Sequence, residues 1–226
     1  MHSRIKRIND GGFTIVEILV VITIIVILFL LLFPSISSMK RSAESAKCVS
    51  NLRQIGIALL SYSSDHNGLI PPHLGKDPDT GKYITAAYWY RVLGYDGYLE
   101  KIVAGKGIYF CPSLPVTHDG MQAYGLRRWA TPGQPFDTTQ NLRILTKPSD
   151  FFLVADSYVV PSKSQGYFIA GGDPNWCIRL EHFGLANTLF ADGHVAGKSR
   201  EYFESLSVLQ AEYSGSKPYH FWKPNL

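Results

Sequence analysis

Cysteine is scarce in this chain, three residues in 226, and methionine is equally rare. Three cysteines cannot build the dense disulfide framework on which coreless secreted folds depend, so the folded part needs a real hydrophobic core. An excess of one charge is also missing: 22 Lys+Arg stand against 18 Asp+Glu, a net charge of +4. Part of even that small excess comes from Arg4, Lys6 and Arg7 facing Asp10 in the first twelve residues. A charge-driven nucleic-acid surface is excluded, and no nucleic-acid partner is expected. Catalytic signatures are absent too. There is no Gly-x-Ser-x-Gly, no phosphate-binding glycine loop and no His-Glu-x-x-His, so the expectation is a chain that is not an enzyme and carries no cofactor. Internal repeats and low-complexity tracts are also lacking.

One long apolar run is present. Phe13 to Phe33 is 21 residues long, with only Thr14, Glu17 and Thr23 polar. At about 1.5 Å per helical residue it spans about 30 Å, the thickness of a bilayer core. Three readings compete. A plain transmembrane anchor fits the length, and Arg4 to Arg7 would stay cytoplasmic. A secretory signal peptide has a shorter apolar region, although Ser35-Ile36-Ser37 is a passable cleavage site. Neither accounts for Glu17, an ionisable group four residues into the run, where burial in lipid is costly and a function is the default expectation.

Gly11-Gly12-Phe13-Thr14-Ile15-Val16-Glu17 resembles the processing signal of type IV prepilins and type II secretion pseudopilins. The resemblance implies that a prepilin peptidase/methyltransferase cuts after Gly12 and N-methylates Phe13. It further implies that the apolar helix is retained as membrane anchor and filament core, with Glu17 pairing to the N-terminal ammonium of a neighbouring subunit during assembly. Two poorly solvated charges would each relieve the other there and set the register. The implied partners are other pilin or pseudopilin subunits, the inner-membrane assembly platform and membrane lipid. The implied location is a single-pass inner (cytoplasmic) membrane protein with its head in the periplasm or at the cell surface. Pro34 matches a proline common in pilin helices, where it would kink the helix without necessarily ending it.

Beyond Pro34 the pattern turns amphipathic. Cys48, Leu52, Ile55 and Leu59 recur on one helical face, away from Lys47, Arg53 and Gln54. A continuous helix from about Thr14 to Tyr62 is expected, stopped by Ser64-Asp65-His66-Asn67-Gly68 and Pro71-Pro72. A short helix is expected within Ala86 to Leu99, strands at Ile108–Cys111 and Phe151–Ala155, and an irregular segment over 112–141. Asn187–Ala191 and His194–Ala196 around Asp192-Gly193 read as a hairpin with a type I′ turn. A final helix is expected within Glu201–Tyr213. The fold class is α+β: a long N-terminal helix, transmembrane in its first half, packed on a small antiparallel sheet, pilin-like, with a long irregular insertion. The expected division is a leader over 1–12, a transmembrane and filament-core helix over 13–33, its amphipathic continuation over 34–64, and a head over 65–226.

His182, nine further residues and then Asp192-Gly193 resemble the H-X9-DG domain that accompanies prepilin-type N-termini in a large bacterial group. Asn51 to Gly56, Phe110-Cys111-Pro112-Ser113 and Ala155-Asp156-Ser157 match segments of the same group. The three cysteines, Cys48, Cys111 and Cys177, allow three single bridges. Cys48–Cys111 is favoured because Cys48 lies on the core face of the helix and Cys111 ends an expected strand; three buried thiols are the alternative. Histidine supplies no local metal spacing. His182, His194, Asp156 and Asp192 would converge if the strands pair, but the expected roles are structural, with Asp192 bonding the turn backbone, and no metal is expected. Asp65-His66-Asn67-Gly68 has a fragment of a calcium-loop pattern without its glutamate. The aromatic groups Tyr88-Trp89-Tyr90, Tyr95 to Tyr98 and Tyr219 to Trp222 suit core packing better than sugar or partner binding.

Overall fold

A computed structural model describes residues 14–72, 88–101, 103, 107–114, 123–127, 140–169, 175–206 and 221–222, with the backbone alone described at 32–35, 176 and 221–222. Residues fall into two compact units, Met1–Lys40 and Arg41–Leu226. One helix, α1, spans Ile15–Asp65 and so belongs to both. It remains helical through Pro34.

In the first unit the side chains from Ile15 to Leu31 are exposed all round. This stretch is long and apolar enough to cross a membrane, with a mean hydropathy of 3.4. Its polar groups are satisfied locally. Thr23 Oγ1 donates to the Leu19 carbonyl at 2.7 Å, and Thr14 caps the helix with Glu17. Such closure is what lipid demands, since no water is at hand to replace a missing partner.

In the second unit α1 changes character. Cys48, Leu52, Ile55 and Leu59 are completely buried, as their spacing requires, while Arg53, Gln54 and Ile57 are exposed. The helix ends where Asn67 and Gly68 take left-handed backbone angles, φ 55° and 90°. There the Gly68 N–H returns to the Ser63 carbonyl at 2.7 Å, satisfying one of the orphan carbonyls of the last turn. A short helix, α2 (Trp89–Tyr95), follows.

Among the described residues, eight strands follow: β1 (Gly125–Arg127), β2 (Phe152–Ala155), β3 (Ser157–Val159), β4 (Phe168–Ile169), β5 (Trp176–Arg179), β6 (Ala186–Phe190), β7 (Val195–Lys198) and β8 (Phe221–Trp222). They form a five-stranded sheet in the order β4-β1-β2-β6-β7 and a three-stranded sheet in the order β3-β5-β8. The fold is α+β as expected. Three of the four pairings in the larger sheet are antiparallel, and β1 with β4 is parallel, so the sheet is mixed.

The larger sheet separates two cores. Leu153, Val154 and Leu189 join the α1 face, whereas Phe152, Ala155, Ala186 and Phe190 join Ile178, Leu180 and Phe203 on the other side. Two consecutive residues of β2 face α1 because the register with β6 shifts between Phe152 and Val154, a bulge that breaks the period of two. Gly56 brings α1 close to β6: a Cβ there would lie 2.7 Å from Leu189 Cδ1.

Three local expectations are corrected. Residues 108–111 form a turn, not a strand. Gly107 enters it at φ 94°, and its carbonyls are taken by other partners: Tyr109 by the Tyr124 N–H at 3.0 Å, Phe110 by Asn51 Nδ2 at 3.1 Å. The segment 112–141 is not wholly irregular, since it contains β1. Around Asp192-Gly193 only Gly193 has a positive φ, 90°. The Gly193 N–H bonds the Phe190 carbonyl at 2.9 Å, which gives a type I turn closed by a left-handed glycine in place of type I′. The final helix expected within Glu201–Tyr213 is present over residues 200–206, and positions 207–213 lie outside the described residues. Tyr88, Trp89 and Tyr90 are core residues, and Trp89 Nε1 donates to the Tyr167 carbonyl at 2.7 Å.

Candidate functional sites: the helix start and a buried four-donor cluster

Two places carry chemistry. At the start of α1, Thr14 precedes the first helical residue and Glu17 is the third residue within the helix. The Glu17 N–H donates to Thr14 Oγ1 at 3.2 Å, and Glu17 Oε2 accepts from the Thr14 N–H and from its hydroxyl, both at 2.8 Å. This reciprocal capping box satisfies two of the helix's orphan donors. The sequence signal for it is the Thr-x-x-Glu spacing of Thr14 and Glu17. Gly12 and Phe13, the expected cleavage and methylation positions, lie outside the described residues, as do His73 and His118.

The second place is in the head. Cys48 comes from the buried face of α1, Cys111 from the turn at 107–114, Asp156 from the junction of β2 and β3, and His182 from the turn before β6. One donor atom from each lies within 4.8 Å of all the others, a set able to hold a metal ion. Cys48 Sγ is 3.3 Å from Asp156 Oδ1, Cys111 Sγ is 3.4 Å from His182 Nε2, and His182 Nε2 is 3.6 Å from Asp156 Oδ2. All four residues are buried, none more than 5% exposed.

The surroundings fix these groups. The Asn187 N–H donates to Asp156 Oδ2 at 2.8 Å. Gln165 Oε1 accepts from the Cys111 N–H at 2.9 Å, and Asn51 Nδ2 and the Tyr124 hydroxyl both donate to the preceding carbonyl of Phe110. Burial pushes Cys48, Asp156 and His182 toward their neutral forms. It pushes the Asp156 carboxyl up to about 7 against the lowering influence of the Asn187 N–H and the Cys48 thiol. It pushes the His182 imidazole down to about 4, helped by Arg179. The Cys48 thiol is raised well above its ordinary value, chiefly by burial, with Cys111 and Asp156 adding to it.

The expected Cys48–Cys111 pair therefore meets, but as unbridged thiols; none of the three cysteines forms a disulfide. Each of the two sulfurs is engaged by another polar atom, Asp156 Oδ1 or His182 Nε2. A set of donors able to hold a metal is present although no segment of the sequence shows a metal-binding spacing. Spacing within a segment could not reveal it, because the four donors come from four separate segments. Of His182, Asp156, Asp192 and His194, the first two meet in the cluster. The other two meet at the far end of β6, where Asp192 Oδ1 is 2.6 Å from His194 Nδ1 and accepts from the His194 N–H at 3.1 Å. The His194 ring stacks on Phe190 with centroids 4.2 Å apart. The two ends of the His182 to Gly193 segment thus do different work, one in the cluster and one in the turn. Asp65 accepts from the Tyr98 hydroxyl at 2.7 Å and His66 stacks on Tyr62, so the calcium-loop fragment serves the helix end.

Residues 7–33 match the family model of the prokaryotic N-terminal methylation motif. The chain is 32% identical over 63 residues to a ComG operon protein 3 homolog of Bacillus licheniformis, a stretch covering 28% of this chain and 65% of that protein. No solved structure matches the chain. What the chain carries, by these comparisons and by the helix that follows, is a prokaryotic N-terminal methylation motif leading into an apolar span.

Proposed function

We propose that this chain is a pilin-like structural subunit. Residues 1–12 are its leader, cut after Gly12 by a prepilin peptidase/methyltransferase that methylates Phe13. Residues 13–33 remain as membrane anchor and filament core, 34–64 carry the helix into the head, and 65–226 stand outside the inner (cytoplasmic) membrane with the H-X9-DG segment at 182–193. The subunit assembles with other pilin or pseudopilin subunits on an inner-membrane platform, as a pilus or a type II secretion-type filament. It is a substrate of catalysis and not a catalyst. The observation that carries the reading is the methylation motif over residues 7–33 running into a helix whose apolar side chains are exposed on every side. Such a surface is far larger than soluble proteins leave open and needs lipid or other helices around it. The similarity to the ComG operon protein 3 homolog supports the same reading.

A second reading has one observation in its favour. Glu17 accepts hydrogen bonds from Thr14 of its own chain, so a membrane-anchored binding protein that uses the export signal without polymerising has a role for Glu17 in its own helix cap. A photo-crosslinker placed at Leu28 in native membranes separates the two. Filament assembly predicts a ladder of multimers that is weakened several-fold by Glu17→Ala while processing continues. A single unshifted band would favour the lone anchor.

A further inference from the structure

We propose that Cys48, Cys111, Asp156 and His182 bind one zinc ion as a closed structural site in the head. The donor set decides the metal class. Two thiolates, one imidazole and one carboxylate suit zinc and are too soft for calcium or magnesium. The separations decide the geometry. Zinc bonds of about 2.0–2.3 Å arranged tetrahedrally put neighbouring ligand atoms roughly 3.3–3.8 Å apart. Cys48 Sγ to Asp156 Oδ1 at 3.3 Å and Cys111 Sγ to His182 Nε2 at 3.4 Å fall in that interval, and one donor atom of each residue lies within 4.8 Å of the other three.

Burial decides the role. A catalytic zinc keeps one position open to water, whereas here four protein donors converge and all are screened from solvent. The supporting shell has the form that metal sites need. Asn187 holds one carboxylate oxygen of Asp156, leaving the other for the ion, and Gln165, Asn51 and Tyr124 fix the peptide that carries Cys111. The ion would tie α1 to the turn at 107–114, to the β2–β3 junction and to the segment leading into β6. That is the role a Cys48–Cys111 disulfide would have had, extended from two segments to four. The inference rests on the head alone and stands whether or not the chain polymerises.

The test uses the full chain in detergent, purified without chelators, reduced under anaerobic conditions and incubated with zinc. Elemental analysis is expected to give about one zinc per chain, and zinc-edge X-ray absorption two sulfur and two nitrogen or oxygen neighbours. Cobalt substituted for zinc should show thiolate-to-cobalt charge transfer and tetrahedral ligand-field bands, a readout that needs no variant. Cys111→Ser and Asp156→Asn should each lose the ion, His194→Ala should keep it, and Gln165→Leu should weaken binding roughly 10-fold or more as a positioning residue. A reduced, folded chain that takes up no zinc, or zinc uptake unchanged in Cys111→Ser, would overturn the proposal.

Discussion

The two halves of α1 are one continuous helix in two different environments. From Ile15 to Leu31 every side chain is exposed and nearly all are apolar, with no polar face at all. From Cys48 to Ser63 one face is completely buried and the other carries Arg53 and Gln54. A stripe tells a helix which way to turn and what to pack on, while an apolar surface without a stripe accepts any apolar neighbour. The second half is thereby committed to packing within its own head, against the sheet and the turn at 107–114. A first half of this kind suits the proposed passage of a subunit from lipid into a filament.

Substitutions can break this contrast. The largest effect is expected in the second half: Leu52→Ala should destabilise the head by about 2–5 kcal/mol in denaturant unfolding, since its side chain is entirely buried among core residues. Leu28→Ala, the same chemistry in the first half, should leave head stability within about 0.5 kcal/mol. Equal losses at both positions would mean that the halves are not distinct. Gly56→Leu comes next. Its Cβ would already press on Leu189 Cδ1 at 2.7 Å, so a cost of about 1–3 kcal/mol is expected despite the better helix propensity of leucine. Thr14→Ala sharpens the comparison at the other end. Removing the cap should cost about 1 kcal/mol in the first helical turn, seen as faster amide exchange there and not in the head. Glu17→Gln keeps the capping geometry without the charge, so it should preserve the turn while still weakening assembly.

The smallest effect belongs to the Asp192–His194 turn. Its carboxyl is held below the usual carboxylate range: burial opposes this, but the hydrogen bonds from the His194 N–H and ring outweigh it. A depressed carboxylate contributes stability that is present above its ordinary value near 3.8 and lost as pH falls through its lower folded value. Both side chains are more than a third exposed, so the contribution is below about 1 kcal/mol. Amide exchange at Gly193 and His194 should quicken below about pH 4, and Asp192→Asn should remove that pH dependence.

The parts of this molecule that were legible in its sequence are those where the information is local. The recurrence of Cys48, Leu52, Ile55 and Leu59 gave the buried face of α1, and Asn67-Gly68 gave its end. Asp192-Gly193 gave the hairpin, though only Gly193 takes the left-handed conformation, and Asp192 instead accepts from the His194 N–H. Ile108 to Cys111 looked like a strand because it is apolar and bounded by Gly and Pro. It is buried as a turn because Asn51, Tyr124 and Gln165 supply the hydrogen bonds a neighbouring strand would have given. The metal-ligating cluster is the extreme case. Each donor sits in a segment already noticed for another reason, yet only the bulged pairing of β2 with β6 and the packing of α1 bring the four within reach of one ion.

The most direct test of the proposed role is the mass of the N-terminal peptide in protein taken from native membranes. A chain beginning at N-methylated Phe13 is the predicted result. A chain still starting at Met1, or one starting near Ser38 after signal-peptide cleavage, would contradict it and leave Glu17 with no function beyond the cap it forms with Thr14.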